Sequence, residues 1–151
     1  MRDYQRIAAA VAPCADRRAA MQSVVDALWG GLHDAGVSWV GFYMMDAAAG
    51  QMILGPRRDK PACSPIGLHG VCGQCCRGGL AIVVRDVREL GDNYVACDPR
   101  DRSEVVIPLF DDGDGCWGVL DLDSHEVGAF DDRDVAGLER VLNRAGFRTR
   151  P

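Results

Sequence analysis

The stretch that most constrains this chain is residues 103–124. Ser103-Glu104-Val105-Val106-Ile107-Pro108-Leu109-Phe110 is apolar and β-branched, and Asp111-Asp112-Gly113-Asp114-Gly115 is a turn. Cys116-Trp117-Gly118-Val119-Leu120-Asp121-Leu122-Asp123-Ser124 then pairs back. Strands joined so tightly can only be antiparallel. A second hairpin lies upstream, where the aromatic run 37–45 meets a turn at Gly50 and Gln51-Met52-Ile53-Leu54 returns. Pro108 marks an edge or a bulge.

Helices bracket the hairpins. Residues 3–12 form a short one, stopped near Pro13. Asp16 is positioned to cap a second that runs to about Asp34. Ala20, Val24, Leu28 and Leu32 recur there at helical spacing, Met21, Val25 and Trp29 widen the face, and Gly36 suits the C-cap. The last helix spans about 131–143. Asp131, Asp132 and Asp134 sit at its positive end, Arg140 and Arg144 at its negative end, and Val135, Leu138, Val141 and Leu142 form its apolar face. Between the hairpins, 55–70 reads as a loop, 71–77 as a short helix, 81–84 as a buried strand and 85–96 as mostly loop. The expected fold is α+β, a central antiparallel sheet with the N- and C-terminal helices packed on one face. At 151 residues the chain is expected to be one domain.

Charge and cysteine content narrow the function. A net charge of −5 argues against nucleic acid as a partner. No apolar run approaches the ~20 residues that cross a bilayer, and no secretory signal is evident, so the expectation is a cytoplasmic protein. Seven cysteines is an odd number. In a reducing compartment that favours free, reactive or metal-binding thiols over a structural disulfide framework.

Three cysteines lie in polar, Gly- and Pro-rich surroundings: Cys63 after Lys60-Pro61-Ala62, Cys72 in Gly70-Val71-Cys72-Gly73, and Cys97 in Ala96-Cys97-Asp98. Thiols placed this way are expected to be more exposed than core thiols, which makes their redox chemistry the question. Asp98 opposes a thiolate at Cys97, while Arg100 and Arg102 favour it. Cys14, Cys75, Cys76 and Cys116 read as structural, with at least one of the 75–76 pair turned inward.

Asp121 and Asp123 alternate with Leu120 and Leu122, so the carboxylates share one face of the strand and the leucines the other. Glu104 opens the neighbouring strand, near the opposite end of a long two-strand ladder, so its meeting with the Asp pair depends on register. Three acids around a pocket would suit a cationic ligand group and raise one another's pKa. They would equally serve as solvated charges on an exposed sheet face. Trp39 and Tyr43 share a face with Gly41, as core packing or as a pocket wall. Cys63-x5-His69-x2-Cys72-x2-Cys75 offers zinc ligand types without two paired motifs. The histidines His33, His69 and His125 share no motif. The glycine-rich stretches form neither a P-loop nor a dinucleotide fingerprint.

Taken together, Trp39-Val40-Gly41-Phe42-Tyr43, Gly55-Pro56 with Lys60 and Ala62-Cys63, Gly70-Val71-Cys72-Gly73, Ala96-Cys97-Asp98, Ser103 to Leu109 and Gly118 to Ser124 resemble the free methionine-(R)-sulfoxide reductase family, built on a GAF (PAS-like) domain. The segments come in the family's order over residues 37–124. The Cys63–Cys72 interval is one residue shorter than the family pattern and Cys72–Cys97 one longer. Asp59 and Arg57 replace a glycine and an aromatic, Gly91-Asp92-Asn93-Tyr94 differs from the usual approach to Cys97, and Cys75-Cys76 is additional.

The resemblance implies a single GAF domain over 1–151 and a reductase of free methionine-(R)-sulfoxide. It implies Cys97 as nucleophile, Cys63 as resolving cysteine through a Cys63–Cys97 disulfide, and Cys72 as a secondary or relay thiol. Glu104, Asp121 and Asp123 would hold the substrate and protonate its oxygen, with Trp39 and Tyr43 flanking the methyl end. A thioredoxin-type reductant would reset the pair, with no metal or organic cofactor. A homodimer through the terminal helices follows from fold analogy alone. The alternative is a non-catalytic GAF module that binds a small molecule or senses redox state.

Overall fold

The computed structural model describes residues 1–95 and 97–151. Its elements run α1 (Tyr4–Ala9), α2 (Arg17–Leu32), β1 (Trp39–Asp46), β2 (Gln51–Arg58), β3 (Ile66–Gly67), α3 (Val71–Gly78), β4 (Ile82–Val84), β5 (Ser103–Phe110), β6 (Cys116–Ser124) and α4 (Asp132–Arg144). The strands form one antiparallel six-stranded sheet in the order β3-β2-β1-β6-β5-β4.

The helices start where their caps dictate. The Asp16 carboxylate accepts from the Ala19 amide at 2.8 Å. At α4 Asp131 and Asp134 form a reciprocal capping box, each satisfying a backbone N–H the helix leaves free. Gly36 follows α2 and its short 3-10 turn at φ 91°, a left-handed conformation that costs glycine little. The buried face of α2 is Ala20, Met21, Val24, Val25, Leu28 and Leu32. With α1 and α4 it packs onto Val40, Phe42, Val105, Ile107, Leu109, Leu120 and Leu122, so the terminal helices cover one face of the sheet.

Two expectations change. Residues 55–58 are not loop, because β2 pairs along β1 as far as Val40↔Arg58. Between the pairs Gly41↔Arg57 and Tyr43↔Leu54 the single β1 residue Phe42 faces two on β2, Gly55 and Pro56, which form a bulge. A bulge tolerates both a glycine and a residue without an N–H. The strand at 82–84 is an edge: Val83 is exposed and only Val84 of the three is buried. Pro108 sits beyond the last β4 pairing, at Val106, and just before a register shift at Leu109/Phe110. Among the described residues no helix is long and apolar enough to cross a membrane.

Candidate active site

The opposite face of the sheet is organised by register. Across β1, β6 and β5, Trp39 lies beside Asp123 and Asp123 beside Glu104. In the next row Gly41 lies beside Asp121 and Asp121 beside Val106, and in the third Tyr43 lies beside Val119. An antiparallel hairpin sets the start of one strand against the end of the other. Glu104 and Asp123 are therefore direct partners, and the distance implied by their opposite places in the ladder does not exist. The central glycine makes room: a Cβ at Gly41 would stand 2.7 Å from Trp39 Cζ2.

Onto this face pack α3 and the loops around residues 60–70 and 94–101, enclosing a cavity of about 40 Å³. Trp39, Tyr43, Cys72, Cys97, Glu104, Asp121 and Asp123 all line it. Tyr94 and Asp101 line it too, and the sequence reading missed both. Asp101 is buried, as is Glu104. A second cavity of about 210 Å³ lies beyond, sharing Trp39, Ala62, Cys97, Asp101 and Asp123 and adding Lys60, Asp98 and Arg100.

Cys63 and Cys97 are joined by a disulfide with Cα atoms 5.6 Å apart. It links the two loops that the aromatic pair and one ion pair also hold. Trp39 Nε1 donates to Lys60 O and Tyr43 Oη donates to Cys63 O, each at 2.8 Å. Lys60 Nζ meets Asp98 Oδ2 at 2.6 Å, and Arg100 meets the same carboxylate. These two cations hold the Asp98 carboxyl well below its usual range, Arg100 having the larger effect. His125, which no motif had singled out, stands 3.6 Å from Asp98 and 3.7 Å from Asp101. Ala96, between Val95 and Cys97, lies outside the described residues.

Burial sets the electrostatics. Glu104 is pushed up to about 8, first by desolvation and then by the neighbouring charge of Asp123, with a hydrogen bond to Asp121 working the other way. Asp121 is raised by desolvation and then by Glu104; Asp123 by desolvation and then by Asp121, with Lys60 opposing. Asp121 Oδ1 is buried without a hydrogen-bond partner. Burial and mutual repulsion thus favour the protonated acids, and a cationic group would oppose that effect.

Cys72 differs from its expected setting. It lies on α3 with 4% exposure, in the apolar cluster with Tyr43, Val71 and Val106. Burial and then the Asp121 charge hold it as a thiol. Cys63 and Cys97 are both exposed loop residues, as expected. The zinc set is not assembled, since Cys63 is bonded to Cys97, His69 is exposed, and the Cys75 thiol donates to Leu80 O. Cys14 is exposed where a packed thiol was expected, while Cys75 and Cys76 are both buried.

An antiparallel sheet with the terminal helices on one face and a cavity lined by acids and Cys97 on the other defines a GAF-type domain, and the GAF domain family matches residues 14–148. The protein ZMO0507 of Zymomonas mobilis is 37% identical over 132 residues, covering 87% of this chain and 79% of that one. The free methionine-R-sulfoxide reductase of Escherichia coli is 36% identical over 108 residues, 70% of this chain and 62% of that relative, so less than two thirds of its length is spanned. The structure of free methionine-R-sulfoxide reductase from Neisseria meningitidis in complex with its substrate superposes with TM-score 0.82 at 34% identity, over 94% of this chain and 83% of that one. The chain belongs to the GAF domain family and, within it, to the free methionine-(R)-sulfoxide reductases, a group of oxidoreductases.

Proposed function

We propose that this chain reduces free methionine-(R)-sulfoxide to methionine, with Cys97 as nucleophile and Cys63 as resolving thiol. The observation that carries the reading is the Cys63–Cys97 disulfide standing over a cavity floored by Glu104, Asp121 and Asp123. A free amino acid brings an ammonium group, and buried carboxylates supply the matching charge. Trp39 and Tyr43 offer apolar ring surface to the methyl end.

The Cys97 sulfur attacks the sulfoxide sulfur. A raised-pKa acid of the cluster donates a proton to the sulfoxide oxygen, as general acids do when their pKa lies near the working pH. The oxygen passes to the Cys97 sulfur as the substrate S–O bond and the transient bond between the two sulfurs break, so methionine leaves and Cys97 becomes a sulfenic acid. The Cys63 thiol then condenses with it, forming the S–S bond and releasing water. A thioredoxin-type dithiol reopens the disulfide by exchange, which suits a reducing compartment such as the cytoplasm. Cys72, buried and protonated beside Asp121, serves as a hydrogen-bonding wall of the pocket in this cycle, not as its nucleophile.

Cys97, which lines the acid cavity, is tied to Cys63 and so is not free to act as a thiol. This geometry supports placing the structure at the oxidised end of the cycle, with substrate entering after reduction. The test is methionine release from the separated sulfoxide epimers with dithiothreitol, then with thioredoxin and its reductase. Release from the free R epimer, lost in Cys97→Ser, is the expected result. No release by the reduced wild type, or unchanged release by Cys97→Ser, overturns the reading.

A further inference from the structure

A second pair of thiols lies outside the acid cavity. Cys76 sits in the last turns of α3 and Cys116 opens β6; neither lines either cavity at the disulfide. The Cys76 thiol donates to Cys116 O at 3.4 Å, which sets the two cysteines side by side, while the Cys116 thiol points to Gly118 O at 3.2 Å. Cys76 is buried at 4% exposure, while Cys116 is half-buried. The neighbouring Cys75 is engaged elsewhere, its thiol pointing to Leu80 O at 3.3 Å.

The two sulfurs have unequal chemistry. A hydrogen bond from Cys76, with help from the backbone of Leu109 and Gly118, favours the thiolate of Cys116, against burial and the charge of Asp111. The bond to Cys116 and burial keep the proton on Cys76. A half-buried sulfur that ionises first beside a buried sulfur that stays protonated is the arrangement of a reactive dithiol.

We propose that Cys76 and Cys116 are a second redox-active dithiol, which a hydroperoxide closes into a disulfide that staples α3 to β6. The Cys116 sulfur attacks a peroxide oxygen. The O–O bond breaks, Cys116 becomes a sulfenic acid, and with hydrogen peroxide one water leaves. The Cys76 sulfur then attacks that sulfur; the S–S bond forms, the S–O bond breaks, and a second water leaves with the Cys76 proton. The two thiols give up two electrons and the peroxide takes them. Closing two side-by-side cysteines to an S–S bond of ~2.05 Å needs side-chain movement more than a change of fold.

The staple has a consequence for the pocket, because the first turn of α3 carries Val71 and Cys72, which line it. That consequence rests on the reductase reading; the dithiol itself does not.

The experiment treats the full chain carrying Cys63→Ser and Cys97→Ser with hydrogen peroxide, blocks remaining thiols with an alkylating agent, and maps the peptides by mass spectrometry. The expected result is a Cys76–Cys116 linked peptide pair ~2 Da lighter than the two free peptides, restored by dithiothreitol. Adding Cys116→Ser abolishes it. In Cys76→Ala the expected product is a Cys116 sulfenic acid that dimedone traps, which keeps the test open should the triple variant fold poorly. The proposal is overturned if Cys76 and Cys116 stay alkylatable at a peroxide dose that oxidises the exposed Cys14. It is equally overturned if Cys116 over-oxidises while Cys76 remains free. A linked pair in a protein that releases no methionine would sink the reductase reading and leave the dithiol standing.

Discussion

On β6 Leu120 and Leu122 are fully buried against the helices, while Asp121 and Asp123, the residues between and after them, point into the cavity under α3. The same strand thus serves two faces with opposite physics. The helix face gains from every apolar atom removed from water. The cavity face carries buried carboxylates whose charge is disfavoured by desolvation and by one another, a cost that a bound cation would offset. One face stores stability and the other spends some of it to prepare a site.

Substitutions should separate the faces, beginning with the chemistry. Cys97→Ser should reduce methionine release to background in the dithiothreitol assay. Glu104→Gln removes an acid whose proton is available near neutrality, and release should drop ~10²–10⁴-fold, the usual range for a positioned general acid. A drop under threefold would assign the proton to another member of the cluster. On the other face Leu120→Ala should cost ~2–5 kcal/mol of stability, read by urea denaturation, with turnover per folded molecule within a few-fold of wild type. Reducing the Cys63–Cys97 disulfide frees a loop of sequence separation 34 and should lower stability by ~3–4 kcal/mol on loop entropy alone. It should also admit substrate, so that calorimetry detects binding to the reduced Cys97→Ser protein and none to the oxidised wild type.

A finer test uses pH. Glu104 stands at about 8 in the folded chain against 4.5 for an ordinary glutamate. Between those values the folded state holds a proton that the unfolded state has released. The contribution of Glu104 is therefore fully present below about 4.5, declines as pH rises through the window, and levels off above about 8. Denaturation at pH 5 and pH 8.5 should show Glu104→Gln gaining on wild type at the higher pH; an equal difference at both would contradict the burial argument. The smallest effect belongs to Trp39→Phe, which gives up the indole bond to Lys60 O and should cost ~1 kcal/mol, with slower formation of the Cys63–Cys97 bond.

Much of this was legible in the residues. Asp16 and Asp131 announced their helices because a cap is a local event. The alternation Leu120-Asp121-Leu122-Asp123 assigned faces because a strand has a period of two. The loop that was read over residues 55–58 failed because Gly55 and Pro56 signal a turn and a bulge alike, and only the partner strand distinguishes them. Cys72 looked exposed because Gly70 and Gly73 flank it, yet those glycines allow α3 to sit close. A Cβ at Gly70 would stand 2.7 Å from Val95 Cγ2.

The chain by itself determined its elements, the sharing of faces within each strand, and the cysteines and acids to watch, since these follow from neighbours a few residues apart. Tertiary structure alone decided that Glu104 abuts Asp123, that Asp101 and Tyr94 join the cavity, and that Cys76 meets Cys116. Those meetings depend on strand register and on how a helix settles over a sheet. Such choices are fixed by the packing of the whole core, and no local stretch of sequence encodes them.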